Sequence, residues 1–377
     1  MVNKANACLS VLSLALLVGC NDTSSSGSGE TGSSGGSGET GSDTTITVVS
    51  WGGTYSESQN KAYHLPYQQL NPDVTIKLES AGRQALSRLR TGEDSWDLVD
   101  MTLRDAKRAC EEDLVIPIEH DQVLAPAPDG GLATDDFFAS SLSDCGVPQI
   151  AYSMVVAYNT DAYTLSSRPD SVNDFFDSTT FPGNRAIADD PEEGILELAL
   201  YADGIAPGEV YQVLATEAGV DRAFEKLNTI KSEIVFTSGG EAIQQLVEKE
   251  VAFALTVSGR VFNASELEGK PLEIIWDGQL VQWAVWVVPE NANQAVVFDY
   301  LYWATDTQRL ADQAQYIPYG PARASSTALV GTHETLNIDM KPHMPTEPLN
   351  YGTAIAVDSD FWDEYGSSIQ QRFDDWK

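Results

Sequence analysis

Basic residues are scarce in this sequence. Lysines and arginines number 22 against 56 aspartates and glutamates, a formal net charge of -34 over 377 residues. Such a surface repels nucleic acid and anionic lipid, so neither is expected as a partner. The acidity is spread along the chain, which fits a solvating surface suited to high salt and would also favour a cationic ligand. Histidine is scarcer still. The four are His64, His120, His333 and His343, and none falls in an H-E-x-x-H or H-x-x-E-H pattern. His333 and His343 lie in a Pro/Thr-rich stretch and are expected on solvated loops. The chain lacks a G-x-S-x-G elbow, a G-x-x-x-x-G-K-[ST] loop and a Rossmann glycine fingerprint after its first strand. Carboxylate pairs such as Glu192-Glu193 are common, but in so acidic a chain their spacing does not mark a glycosidase. Beyond the N-terminus no 18-residue apolar run occurs, so nothing there is expected to span a bilayer. These absences point to a protein that binds without catalysing, with no cofactor and no metal.

Cysteine is also rare, and its four positions are informative. Lys4 precedes an apolar stretch from Leu9 to Val18 that is too short for a membrane span. It ends in Leu17-Val18-Gly19-Cys20, which resembles the bacterial lipoprotein cleavage box. The resemblance implies that residues 1–19 are removed as a signal peptide and that Cys20 is lipidated. Residues 20–44 follow as a Gly/Ser tether, in which Gly-Ser-Gly-Glu-Thr-Gly occurs at Gly27 and again at Gly36. Such a segment has no apolar surface to bury and is expected to stay disordered. Cys8 leaves with the signal. Cys110 and Cys145 remain, an even pair in an oxidising compartment and therefore an expected disulfide, with two buried thiols as the alternative.

The rest of the chain alternates strand and helix patterns. Strands are expected at 45–50, 74–78 and 97–101, with helices at 55–70, 84–90 and 103–112. Pro66 should break or kink the first helix. A β-rich run, Tyr152 to Tyr158, reads as a crossover between lobes. Helices follow at 194–203, 221–232 and 241–248, strands at 251–257, 272–276 and 283–288, and a helix at 293–305. This rhythm predicts an α/β fold with mainly parallel sheets flanked by helices. In such sheets ligands bind beyond the C-terminal strand ends.

Several segments together resemble the extracellular solute-binding proteins of ABC importers, in the branch of spermidine- and putrescine-binding proteins. They are Val48-Val49-Ser50-Trp51-Gly52-Gly53-Thr54-Tyr55, Trp96-Asp97-Leu98-Val99-Asp100, Cys145-Gly146-Val147 and Phe181-Pro182-Gly183-Asn184-Arg185. The run from Leu196 to Gly204, Tyr316-Ile317-Pro318-Tyr319-Gly320-Pro321, Met344-Pro345-Thr346 and Phe361-Trp362 complete the series. The order of the pieces, not any single one, carries the resemblance. It implies a two-lobed type II periplasmic-binding-protein fold with the ligand in the cleft. Lobe 1 would be 45–152 plus 284–335, and lobe 2 would be 153–283 plus 336–377. The implied partners are a small solute and a membrane permease, for a monomer held to a bacterial membrane by its lipid, on the periplasmic or cell-surface side.

Carried over from these relatives, the aromatic lining of an amine site would be Trp51, Tyr55, Trp283 and Tyr319. Thr102, Ser258 and Arg260 would add polar lining. Glu197 is the candidate carboxylate, or else a structural ion pair with Arg185. Three departures bear on the ligand. Val257-Ser258-Gly259-Arg260 stands where many relatives carry Trp-Asn-Gly-Arg. Ala284 stands where polyamine binders place an ammonium-pairing Asp. Arg104 falls near an aromatic of the relatives, and a cation there would suit a carboxylate ligand. A polyamine is the leading expectation, with an amino-acid derivative or organic acid as the competitor. A lipid-anchored surface enzyme and a sensor module are the alternatives of other classes.

Overall fold

The computed structural model describes residues 44–92 and 94–377. The expected signal peptide, the tether up to residue 43 and the lipidation site Cys20 lie outside the described residues. Ten strands form one mixed sheet: β1 Thr44–Ser50, β2 Val74–Ser80, β3 Leu98–Thr102, β4 Val147–Asn159, β5 Arg185–Ile187, β6 Ile234–Phe236, β7 Phe253–Val257, β8 Leu272–Val287, β9 Gly320–Pro321 and β10 Ile355–Ala356. The order is β2-β1-β3-β8-β4-β7-β5-β6, with β9 beside β4 and β10 beside β8. β1, β2 and β3 are parallel, and so are β5, β6 and β7. Between these blocks run the two long strands β4 and β8, antiparallel to each other.

Two large apolar cores form around this sheet. One gathers Ile46, Val48, Leu98, Met101, Trp286 and Tyr300. The other gathers Val156, Phe175, Leu198, Phe224, Trp362 and Phe373. The strands expected at 272–276 and 283–288 are one continuous β8. Gly278 joins them at φ 66°, with no room for a side chain: a Cβ there would meet Tyr201 and Val172 at 2.8 Å. Pro66 does not break its helix. Helical turns run from Gly53–Gln59 through a π-turn at Asn60–His64 into Leu65–Leu70. The wider turn, closed by the Leu65 N–H on the Asn60 carbonyl, passes the proline that lacks an N–H of its own.

Cys110 and Cys145 form a disulfide with Cα atoms 5.8 Å apart. It ties the helix Leu103–Glu111 to the start of β4. His333 and His343 are not solvated. Both pack on Phe262, with ring centroids 6.0 and 4.9 Å away, and burial lowers the pKa of each. Among the described residues no helix is long and apolar enough to cross a membrane, and no group of His, Cys, Asp or Glu is placed to hold a metal ion.

Candidate ligand-binding site

The parallel strands β1, β2 and β3 end at Ser50, Ser80 and Thr102, and the segments that follow carry Trp51, Arg83 and, in the first turn of the helix Leu103–Glu111, Arg104. Trp51 is followed by Gly52 at φ 89° and Gly53 at φ 58°. That left-handed turn aims the helix Gly53–Gln59 so that Tyr55 faces β3. The Trp51 Nε1–H donates to Asp100 at 3.0 Å, and the Tyr55 hydroxyl lies 2.9 Å from the other Asp100 oxygen.

Three tyrosines form an aromatic wall. Tyr319 lies between Tyr55 and Tyr152, with ring centroids at 6.1 and 6.3 Å. Tyr152, in the middle of β4, pairs in register with Gln282 of β8, and its hydroxyl donates to the Gln282 Oε1 at 2.9 Å. The Tyr319 ring lies on the start of the helix Ser258–Phe262. A Cβ on Gly259 would sit 3.0 Å from that ring, so any larger residue would push the ring by a few tenths of an ångström. Beside it the Ser258 hydroxyl is buried and has no hydrogen-bond partner among the described residues.

Charged groups border this wall. Twelve arginines are present. Arg83 and Arg260 differ from the other ten: within the described residues they have neither an ion pair nor a side-chain hydrogen bond, and both are exposed. Glu193 is half-buried and likewise unpaired. Burial raises its pKa, with Asp190 and Glu192 adding to the rise, and Arg83 and Arg260 oppose it. The Arg83 charge also acts on Tyr152, and that of Arg260 on Tyr319. The two guanidiniums and Glu193 thus act electrostatically on one another and on Tyr152 and Tyr319. They can receive a solute with an anionic end, a cationic end and an apolar middle.

The expected residues divide. Trp51, Tyr55, Ser258, Arg260 and Tyr319 come together here. Thr102 caps the helix Leu103–Glu111, its hydroxyl accepting from the Asp105 N–H at 3.1 Å. Arg104 is taken up by ion pairs with Glu192 and, at 2.6 Å, with Asp363. Arg108 also pairs with Asp363, and Lys107 pairs with Asp360 at 2.7 Å. These cations on one helix thus meet carboxylates packed with the other apolar core. Trp283 is core, stacked near Phe138 with its N–H on Ser140, because the central strand is covered on both faces. Glu197 is fully buried, accepting from Tyr211 at 2.8 Å and Trp362 at 3.0 Å, and burial pushes its pKa up to about 7. Its expected partner Arg185 donates instead to the carbonyls of Phe175, Gly183 and Phe181. Sequence reasoning missed Arg83, Tyr152 and Glu193. The one available signal was the place of Arg83 in the turn that ends a parallel strand.

A family model for the bacterial extracellular solute-binding proteins matches residues 62–346. The chain belongs to that family. This solute-binding protein is 33% identical over 336 residues to the gamma-aminobutyric acid-binding protein of Pseudomonas aeruginosa, covering 88% of this chain and 90% of the relative. Among solved structures it resembles an ABC transporter substrate-binding protein from Bradyrhizobium japonicum USDA 110, with TM-score 0.71, 27% identity, and 88% and 99% of the two chains covered. It also resembles the Atu4243-GABA receptor, with TM-score 0.68, 25% identity, and 88% and 97% covered. The fold is accordingly that of the periplasmic binding proteins, an α/β architecture with a central sheet and flanking helices.

Proposed function

We propose that this protein is the extracytoplasmic substrate-binding component of an ABC importer, and that its solute is a short zwitterion, an ω-amino carboxylate of the 4-aminobutyrate type. The two apolar cores would be two lobes that close on the solute by hinge motion and hand it, chemically unchanged, to a membrane permease. The lipid on Cys20 would hold a monomeric receptor at the membrane.

The observation that carries the ligand class is the trio of unpaired charges beside the tyrosines. Arg83 and Arg260 offer guanidiniums to a carboxylate. Glu193 offers a carboxylate to an ammonium group, and the tyrosine faces cover the methylenes between. The gamma-aminobutyric acid-binding relative supports the same class. A polyamine, expected from the sequence, fits Glu193 and the rings. It would also bring a second ammonium among two arginines, and no carboxylate stands at Ala284, which is buried between Thr102 and Ile150 in the sheet.

The test removes each charge separately. Arg83→Ala with Arg260→Ala, and Glu193→Gln alone, are each expected to weaken 4-aminobutyrate binding at least tenfold, since truncating one partner of a desolvated charge pair costs about 2 kcal/mol or more. Retention of wild-type affinity in both proteins, or tighter putrescine than 4-aminobutyrate binding in the wild type, rejects the zwitterion.

A further inference from the structure

We propose that Asp100 is a positioning residue for ligand capture: from the middle of β3, its buried carboxylate holds Trp51 and Tyr55 in place as one wall of the cleft. The proposal deepens the reading above and rests on it for the ligand alone.

Asp100 is an odd residue for its place. Leu98, Val99 and Met101 beside it are buried and apolar, and Asp100 itself is 1% exposed. Among the described residues no cation pairs with it. Burying a carboxylate there costs stability that an apolar residue would not cost. What the carboxylate does instead is collect three donors from the first strand-turn and helix: Trp51 Nε1, the Tyr55 hydroxyl and Gln59 Nε2. Gln59 is itself held, its Oε1 accepting from the Ser50 hydroxyl at 2.5 Å.

Trp51 depends on this bond more than most tryptophans would. It precedes two glycines in left-handed conformations, so the backbone restrains it weakly. Among the described residues its only side-chain hydrogen bond goes to Asp100. Tyr55 is tied in at two points, to Asp100 and, at 3.1 Å, to Gln149 of β4. A hydroxyl has one proton, and the Asp100 carboxylate and the Gln149 Oε1 both accept, so the Tyr55 proton is shared between the two. Asp100, Tyr55 and Gln149 thus form a relay that links β3 to β4 through the ring against which Tyr319 lies. A site preorganised in this way loses less side-chain entropy when it takes up a ligand.

The test uses the whole protein, with 4-aminobutyrate as probe and 5-fluorotryptophan in place of tryptophan. The fluorine resonance of Trp51 is assigned by its loss in Trp51→Phe. In the ligand-free protein, Asp100→Ala is expected to shift or broaden that resonance, and Asp100→Asn, which keeps an acceptor, to restore part of it. Calorimetry is expected to give at least tenfold weaker binding for Asp100→Ala and two- to fivefold weaker for Asp100→Asn. Tyr55→Phe is expected to cost less in the Asp100→Ala background than in the wild type, because its anchor is already gone. An unchanged Trp51 resonance with wild-type affinity overturns the proposal, and so do losses from Asp100→Ala and Tyr55→Phe that simply add. If Asp100→Ala does not fold, Asp100→Asn decides by its resonance and affinity, wild-type values of both being the overturning result. If the wild type does not bind 4-aminobutyrate, the ligand class fails, while the ligand-free resonance still tests Asp100.

Discussion

Glu197 gives the sharpest prediction about stability. Its carboxyl is fully buried in the second core, on the first turn of the helix Ile195–Ala202. One oxygen accepts from Tyr211 and Trp362, and the other has no partner among the described residues. Burial pushes its pKa up to about 7, from an ordinary value of 4.5. Between those two pH values the folded chain keeps a proton that the unfolded chain releases. The contribution of this group to stability therefore falls as pH rises through that window, is lost in full above it, and is untouched below pH 4.5. A difference between 4.5 and about 7 corresponds to about 3 kcal/mol. Glu197→Gln cannot ionise and lacks this loss. At pH 4 the variant should be less stable than the wild type by about 1–2 kcal/mol, because its amide N–H groups find no acceptor. Its relative stability should then improve by about 3 kcal/mol by pH 8. Asp100 titrates in both proteins and cancels in the difference. Urea unfolding at pH 4, 5.5, 7 and 8 measures it. Stability curves that stay parallel across this range would refute the argument that burial governs Glu197.

Gly259→Ala puts a methyl group 3.0 Å from the Tyr319 ring. The ring must move, and 4-aminobutyrate affinity by calorimetry should drop about tenfold, about 1.4 kcal/mol, with little change in the melting temperature. Reducing the Cys110–Cys145 disulfide, or replacing both cysteines by serine, opens a 35-residue loop and should cost roughly 3.5 kcal/mol in urea unfolding. Asp363→Asn removes the carboxylate shared by Arg104 and Arg108. These groups are partly exposed, so the cost should be about 1 kcal/mol at 50 mM NaCl and should fade at 1 M, as compared by unfolding at the two salts.

Much of the fold is legible in the sequence because strands such as Thr44–Ser50 and Leu98–Thr102 are largely buried and rich in apolar residues on both faces, as covered parallel strands are. The same property hides the site. Trp283 and Trp286 lie three apart on β8 and so face opposite sides of the sheet, yet both are buried because both faces are covered. Alternation therefore cannot tell a lining ring from a core ring there. Tyr152 is hidden for the same reason, inside a run that reads as a buried crossover. Glu192 and Glu193 are indistinguishable as a pair of acids until the fold pairs one with Arg104 and leaves the other free beside the tyrosines. Arg104 was read as a ligand group because the sequence does not reveal Asp363, whose helix Ser359–Trp376 packs with the other core. Trp51 and Tyr319 are readable because each lies beside glycine or proline at a strand end, where chain direction changes and rings meet the cleft, and Tyr55 because it opens the helix that follows the Trp51 turn.

The account stands or falls on charge at both ends of the solute. Isothermal titration of the purified protein with 4-aminobutyrate, butyrate and putrescine at one ionic strength measures this directly. The expected result is clear binding of 4-aminobutyrate and at least hundredfold weaker binding of each molecule that lacks one of its charged ends. Equal affinity for butyrate or putrescine would contradict it, because one set of unpaired charges would then have no part in holding the solute.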